Sequence, residues 1–344
     1  MMNLVFRVDA DAGIGMGHLM RCLALAQGAQ ARGAHITFLS HCETIALRSR
    51  VEAAGFVFIP IEHSHPAPGD LPRTLDMLKE LAANWVVLDN YYFDSAYQAA
   101  IRQAGYRLLA IDDVGHLAEY HADILLNQNI GAEKIRYRCD PDTRILAGTR
   151  YVLLRPEFFP WRCWRREVPA IARKVLVSLG GGDKDNVTSH VVRALQLLTV
   201  DGWEAAVVIG ATNPHRQLLE SLVQDTADRI RLLLDPPDMA EAMAWADVAV
   251  LAGGSTCWEM ALLGLPSLII MTADNQGEVV TGLDRCGAGI ALGWWEQLES
   301  YMIAYRLQRL MVDHETRATL SRGAQTLIDG YGKERVLDAM DRER

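Results

Sequence analysis

Short apolar runs alternate with stretches of helical spacing through the first half of the chain. Apolar residues recur with helical periodicity in stretches such as Leu71–Ala83 and Asp94–Ala104, which is typical of amphipathic helices. Strands that alternate with helices predict a parallel sheet covered by helices on both faces. The strands predicted in this half are Leu4–Val8, Ile36–Leu39, Val57–Ile59, Trp85–Leu88, Leu108–Ile111 and Ile124–Leu126.

The alternation stops at residues 158–170 and then begins again. The interrupting stretch carries prolines, two tryptophans and a basic cluster, Arg162, Arg165 and Arg166, which is typical of an interdomain linker. A helix is predicted from about Val187, and the chain has helical spacing from Gly293 to its end. The strands predicted in this half are Lys174–Leu179, Ala205–Ile209, Ile230–Leu234, Val248–Leu251 and Ser267–Ile270.

The two similar series of alternating strands and helices predict an α/β protein with two Rossmann-like domains facing a cleft. Residues 1–157 are predicted to form the first domain, 158–172 the linker and 173–328 the second domain. Residues 329–344 are predicted to form a C-terminal helix. The sequence leaves open whether this helix returns to the first domain.

The composition excludes several classes of protein. A net charge of −9 over 344 residues disfavours broad attraction to nucleic acid or to an anionic membrane, although a local pocket can still bind a small anion. No apolar run reaches membrane-spanning length, and Arg7 and Asp9 interrupt any signal-peptide pattern. The six cysteines lack metal-ligand spacing and are interpreted as free thiols. We expect a cytoplasmic protein without metal or cofactor.

A glycine-rich turn joins the first predicted strand to the helix after it. Gly13, Gly15 and Gly17 permit tight backbone geometry, and N–H groups there can converge on a phosphate. The dinucleotide fingerprint needs a glycine where His18 stands, so no nicotinamide or flavin site is expected. The positive end of the helix dipole favours a neutral His18 ring, which suits proton transfer from water. The alternative is a structural histidine that caps the helix.

Arg21 follows His18 by three residues and is predicted to lie on the same helix face. It could reach an anionic ligand from there. Alternatively, it pairs only with Asp9 or Asp11.

A second glycine-rich turn, Gly253–Glu259, follows the predicted strand Val248–Leu251 and begins a helix. Ser255 and Thr256 offer hydroxyl and N–H groups to a diphosphate. Glu259 lies one turn further along the same face and can accept hydrogen bonds from a ribose diol. The alternative is a capping box from Thr256, in which Glu259 only satisfies the helix end.

Two further polar segments follow strands of the second half. Gly180–Asp183 is either part of a binding site or a tight turn, and its aspartate argues against direct phosphate contact. Asp274–Gln276 could hold a sugar or position a water molecule, or it is a surface loop.

Polar residues also follow two strands of the first half. Asp112 and Asp113 lack a companion metal-ligand motif, so supporting or substrate-hydroxyl roles are expected. The tyrosines of Asp89–Tyr92 could line a sugar pocket or simply pack.

These motifs resemble the nucleotide-sugar hydrolases of pseudaminic acid biosynthesis, which release UDP from UDP-2,4-diacetamido-2,4,6-trideoxy-β-L-altropyranose. That family is similar to the inverting glycosyltransferases with two Rossmann-like domains, the GT-B type, which share the Gly-Gly-Ser/Thr-x-x-x-Glu element. The resemblance covers nearly the whole chain in the expected order. The matching segments are Arg7–Ala26, Ile111–Asp113, Asn127–Asn129, Leu154–Phe158, Ser178–Asp183, Gly253–Glu259 and Asn275–Gln276.

The resemblance implies a role for each matching side chain. Ser255 and Thr256 would hold the diphosphate of UDP, and Glu259 the ribose. His18 would act as general base toward water near the anomeric carbon, and Asn275 would help to position the sugar and the water. Water would then displace UDP with inversion and without a metal, in a pathway that supplies sugars for flagellin or surface glycans.

The resemblance also implies contacts of the substrate with the glycine-rich turns. Gly15, Gly17, Gly181 and Gly254 would let the backbone approach the substrate, and Arg21 would bind it. The partner would thus be a small UDP-sugar, with neither nucleic acid nor membrane, and no oligomeric state follows from the sequence.

Three alternatives stay open at this point. A glycosyltransferase could use the same UDP site with a hydroxyl acceptor, although only scattered candidates such as Trp161–Arg166 suggest a membrane-facing patch. A non-catalytic nucleotide-sugar sensor would have no need for His18 at the reaction position. A hydrolase for a related nonulosonic acid precursor would share every motif.

Overall fold

The computed structural model describes residues 2–9, 17–42, 45–211 and 213–342. Its internal contacts divide the chain into two compact units. Unit 1 comprises Met1–Pro156 together with Gly330–Arg344, and unit 2 comprises Glu157–Asp329. Within the described ranges, no helix combines the length and hydropathy needed to cross a membrane.

The described residues of unit 1 form a parallel sheet with the strand order β3-β2-β1-β4-β5-β6-β7. The central strands are buried on both faces, which explains why they are continuous apolar runs in the sequence. The strands are β1 Asn3–Val8, β2 His35–Ser40, β3 Val57–Pro60, β4 Trp85–Asp89, β5 Arg107–Ile111, β6 Ile124–Asn127 and β7 Arg144–Ala147. The helices between them are α1 Gly17–Ala31, α2 Ile45–Ala53, α3 Asp70–Glu80 and α4 Ser95–Gln103.

The described residues of unit 2 form a second parallel sheet, with the order β10-β9-β8-β11-β12-β13. The strands are β8 Lys174–Ser178, β9 Glu204–Ile209, β10 Ile230–Leu234, β11 Val248–Ala252, β12 Ser267–Met271 and β13 Ile290–Trp294. The helices are α5 Val187–Gln196, α6 Arg216–Val223, α7 Met239–Trp245, α8 Thr256–Leu262, α9 Gly277–Arg285, α10 Ser300–Val312 and α11 His314–Leu327.

The last helix, α12 Gly332–Arg342, packs in unit 1 against α1. Val336 and Met340 are fully buried in the unit 1 core. Arg32 at the end of α1 forms ion pairs with Asp338 at 2.8 Å and Asp341 at 3.0 Å. The chain therefore returns to its first unit, which answers the question that the sequence leaves open.

The stretch predicted as a linker, residues 158–172, is part of unit 2. Phe158 is fully buried. Arg166 donates to the main-chain oxygens of Met243 at 2.8 Å, of Leu263 at 3.0 Å and of Ala246. Burial lowers the pKa of this guanidinium to about 10. The expectation of a separate linker is wrong, because Arg166 binds the carbonyl groups at the ends of two helices of unit 2.

Each sheet reverses its strand order at one point, between β1 and β4 in unit 1 and between β8 and β11 in unit 2. In open parallel sheets, ligands bind outside the carboxyl ends of the strands at such a reversal. The segments that follow these four strands are therefore where each unit is expected to carry its site.

Candidate active site

His18 and Asp89 meet at the strand reversal of unit 1. His18 is the second residue of α1, and Asp89 ends β4. The His18 Nδ1 atom lies 2.6 Å from Asp89 Oδ1, and the aspartate is fully buried. Burial alone would raise the pKa of Asp89, but Arg21 and His18 outweigh it and hold the pKa below its usual range. Asp89 is therefore a carboxylate that accepts a hydrogen bond from the histidine.

This geometry selects one tautomer of the neutral His18 ring. Arg21 Nη2 also lies 3.1 Å from Nδ1 and could donate to it. However, an unprotonated Nδ1 would direct its lone pair at the Asp89 oxygen 2.6 Å away. Nδ1 therefore carries the proton and donates it to Asp89, which leaves the Nε2 lone pair for a ligand or a water molecule.

Arg21 joins the buried carboxylate of Asp89 to the partly buried carboxylate of Asp113. Its Nε and Nη2 atoms each donate to Asp89 at 2.7 Å, and Nη1 and Nη2 donate to Asp113 at 2.7 and 2.9 Å. Asp113 is also ionised, since Arg21 outweighs the effect of burial and lowers its pKa. Two carboxylates and one guanidinium thus place a net charge of −1 beside the His18 ring.

The suggested pairing of Arg21 with Asp9 is wrong. Asp9 pairs instead with Arg7, and its Oδ1 atom accepts the main-chain N–H of His41 at 2.7 Å. Asp9 directly follows β1 and binds the segment after β2, whereas Arg21 binds Asp89 at the end of β4. Asp11, the other suggested partner, lies outside the described residues.

Tyr91 and Asn129 complete the network. The Tyr91 hydroxyl donates to Asp113 Oδ2 at 2.9 Å, and Asn129 Nδ2 donates to Asp113 Oδ1 at 2.9 Å. The rings of Tyr91 and His18 meet edge to face, with centroids 5.0 Å apart. The network thus ties His18 to the segments after β4, β5 and β6, and it holds the imidazole in one orientation.

Asp112 supports the neighbouring loop. It accepts hydrogen bonds from the hydroxyls of Tyr120 at 2.8 Å and Tyr137 at 2.9 Å, and from the Gly115 N–H at 2.7 Å. The Nδ1 atom of His116 lies 3.2 Å from its Oδ1 atom. Because protein donors surround this carboxylate, a supporting role fits it better than direct contact with a substrate hydroxyl.

Of the three glycines of the first turn, the structure describes Gly17. Gly13 and Gly15 lie outside the described residues. Gly17 begins α1 and is exposed. The suggested contacts of Gly15 and Gly17 with a substrate stay predictions.

Residues 253–259 connect β11 to α8 in unit 2. Ser255 is exposed and is the N-cap of α8, but its side chain makes no capping hydrogen bond among the described residues. Gly254 has open space where a Cβ would lie. Glu259 is buried one turn into the helix. Ser255 is the N-cap and Thr256 the first helical residue, so Thr256 and Glu259 do not stand at the N-cap and N3 positions of a capping box.

The loop after β8 caps the helix that follows it, α5, with a side chain, unlike the loop before α8. The Asp183 carboxylate accepts the N–H groups of Val187 and Thr188, both at 2.9 Å, and so occupies the start of α5. A Cβ at Gly210 would lie 2.3 Å from the Gly181 main-chain oxygen, so the two backbones pack closely. This segment is a tight turn, and Asp183 already caps the helix that follows it, α5. Binding of the substrate through Gly181 stays a prediction.

Asn275 lies in the 3-10 turn Asp274–Gln276 after β12, the neighbour of β11, and it is exposed. Gln276 Oε1 accepts the Thr272 N–H at 2.9 Å. The Gln276 Cβ lies 3.0 Å from where a Cβ of Gly253 would stand. This contact brings the Asn275 turn beside the start of α8.

Comparisons with known proteins give distant relatives, and no family model matches the chain. The chain is 25% identical over 341 residues to the spore coat polysaccharide biosynthesis protein SpsG of Bacillus subtilis (strain 168), covering 96% of this chain and 95% of that protein. It is 23% identical over 293 residues to the UDP-2,4-diacetamido-2,4,6-trideoxy-beta-L-altropyranose hydrolase of Campylobacter jejuni subsp. jejuni serotype O:2, covering 83% and 97%.

The fold is also found in solved structures. MurG of Acinetobacter baumannii matches with a TM-score of 0.66 and 16% identity, over 99% of both chains. Together with the two parallel sheets, this match confirms the predicted α/β fold class, with two Rossmann-like units of the GT-B type found in glycosyltransferases.

Proposed function

We propose that the protein hydrolyses UDP-2,4-diacetamido-2,4,6-trideoxy-β-L-altropyranose to UDP and the free sugar, a step of pseudaminic acid biosynthesis. The observation that carries this proposal is the buried hydrogen bond from His18 Nδ1 to Asp89, which leaves Nε2 as a base. The distant similarity to the Campylobacter jejuni hydrolase supports the choice of substrate.

His18 takes a proton from the attacking water in this mechanism. The water oxygen bonds to the anomeric carbon from the face opposite UDP, the carbon–oxygen bond to the diphosphate breaks, and the configuration inverts. UDP leaves with the bonding electron pair, and the proton stays on Nε2 until it passes to solvent. The net charge of −1 on Asp89, Asp113 and Arg21 stabilises the imidazolium as it forms.

UDP binds in unit 2 in this proposal. The N–H groups and hydroxyls of Ser255 and Thr256, approached past Gly254, hold the diphosphate, and Glu259 accepts the ribose hydroxyls. Asn275 helps to hold the sugar and the water. The exposed Ser255, with no capping bond from its side chain, supports this assignment.

Glu259→Gln is expected to weaken UDP binding roughly tenfold to a hundredfold, because hydrogen bonds to a carboxylate contribute about 1.5–3 kcal/mol. Isothermal titration with UDP and with 2′-deoxy-UDP measures the effect. The wild type should prefer UDP, and the variant should lose most of that preference. Glu241→Gln changes an acid in the first turn of α7 and serves as the matched control. An unchanged preference for UDP in Glu259→Gln contradicts the ribose assignment.

A second candidate function is that of a glycosyltransferase, which the likeness of the fold to MurG favours. Release of UDP in the absence of an acceptor distinguishes hydrolysis from this alternative. We expect stoichiometric UDP and free sugar when the purified protein meets the UDP-sugar alone. Proton NMR follows the reaction and identifies the anomer that forms first, which should be inverted. Turnover only after addition of a hydroxyl acceptor supports the transferase, and intact substrate under both conditions supports a binding protein.

A further inference from the structure

His116 lies between two hydrogen-bond acceptors beside the His18 network. Its Nδ1 atom is 3.2 Å from Asp112 Oδ1, and its Nε2 atom is 3.2 Å from the main-chain oxygen of Tyr91. A neutral imidazole carries one N–H and can donate to only one of these oxygens. The imidazolium donates to both, so only the charged ring satisfies the geometry that the structure shows.

The groups around His116 favour this charged form. Asp112 and Asp113 supply negative charge from the loop after β5, and the Tyr91 ring faces His116 edge to face at 6.0 Å. Tyr120 and Tyr137 share the Asp112 carboxylate through their hydroxyls. The hydrogen bond with Asp112 outweighs partial burial and raises the pKa of His116 above its usual value.

Tyr91 connects His116 to the proposed base. Its main-chain oxygen meets His116, its hydroxyl donates to Asp113 at 2.9 Å, and its ring lies against His18 with centroids 5.0 Å apart. Without the hydrogen bond to His116, Tyr91 would lose one of these three contacts. The orientation of the Tyr91 ring beside His18 would then be less restricted.

We propose that His116, as an imidazolium, fastens the main chain of Tyr91 to Asp112 and so keeps the Tyr91 ring in place against His18. His116 is thus a positioning residue, and its kinetic effect rests on the proposed function. The neutral ring has a single N–H, which goes to the charged Asp112 oxygen as the stronger acceptor. The bond to Tyr91 is therefore present at low pH and is lost as the pH rises through the pKa of His116. Turnover should therefore fall on the alkaline side of its optimum.

The pH dependence of kcat in His116→Gln tests this role. The glutamine amide donates without titrating, so the alkaline limb should disappear. We expect kcat at the wild-type optimum to fall roughly three- to tenfold through looser placement of Tyr91. His121→Gln is the matched control, because His121 also pairs with an aspartate of unit 1, Asp140, at 2.9 Å. This control should keep the wild-type profile, and an alkaline limb that persists in His116→Gln overturns the proposal.

NMR of the ligand-free wild-type protein tests the contact without any reaction. The ring signals of His116, assigned by their loss in His116→Gln, should titrate above the usual histidine value. The backbone signals at Tyr91 should change with the same midpoint. A His116 ring that titrates at or below the usual histidine value, or Tyr91 signals independent of it, overturns the proposal. If the protein releases no UDP, the proposed function fails while this titration still decides whether His116 fastens Tyr91.

Discussion

His18→Asn should lower kcat for UDP release by roughly 10²–10⁴-fold, the usual contribution of a general base. The asparagine amide can still donate to Asp89, so the buried carboxylate keeps a partner and the fold should persist. The variant lacks a basic nitrogen at the position of Nε2, and water must then attack without losing its proton to the protein. UDP affinity should be unchanged, because the residues proposed to bind UDP lie in unit 2.

Discontinuous assays of UDP release measure kcat, and titration calorimetry with UDP measures the affinity. His121→Asn is the control, since it changes a histidine of unit 1 that pairs with Asp140. It should leave both quantities near their wild-type values. Near-normal turnover in a folded His18→Asn protein would show that His18 is not the base.

The strands could be predicted from the sequence because parallel strands buried on both faces are continuous apolar runs. Val248–Leu251, for example, is β11 to within one residue. The prediction missed β7 and β13. β7 is a four-residue edge strand with little burial, and β13 contains Gly293, whose φ of 104° interrupts a strand pattern. Short edge strands and bulged strands carry a weaker periodic signal than central ones.

The partner of His18 could not be predicted in the same way. Asp89 is 71 residues away, and β2 and β3 come between β1 and β4 in the chain but not in the sheet. The sequence shows that polar residues end several strands, but it does not show which strands are neighbours. The rule that ligands bind where the strand order reverses would have indicated the pair once the order was known.

The role suggested for Arg21 changed for a related reason. A lone arginine one turn after His18 suggests an anion site, and the sequence alone offers Asp9 and Asp11 as nearby partners. The fold instead supplies Asp89 and Asp113 from two adjacent strands. With both carboxylates bound, we now place Arg21 among the residues that position His18, and its contact with the substrate stays a prediction.

Asp89→Asn should lower kcat by roughly 10²–10⁴-fold, as changing the aspartate of a catalytic triad does by favouring the wrong histidine tautomer. The asparagine amide can donate to His18 Nδ1, which moves the ring proton to Nε2 and removes the lone pair that water needs. The cluster also loses its net negative charge, so the imidazolium forms less readily. UDP affinity should again be unchanged, and a thermal melt should show a folded protein, since Arg21 keeps Asp113.

Asp113→Asn separates the two causes of that loss. Like Asp89→Asn, it removes one negative charge from the cluster and leaves Arg21 paired with one carboxylate. Unlike Asp89, however, Asp113 makes no hydrogen bond to the His18 ring, and its partners are Arg21, Tyr91 and Asn129. Its effect on kcat should therefore be much smaller, roughly tenfold or less. Nitrogen-15 chemical shifts of the His18 ring should report a changed tautomer only in Asp89→Asn. Equal losses of kcat in the two variants would mean that Asp89 acts through its charge alone and does not select the tautomer.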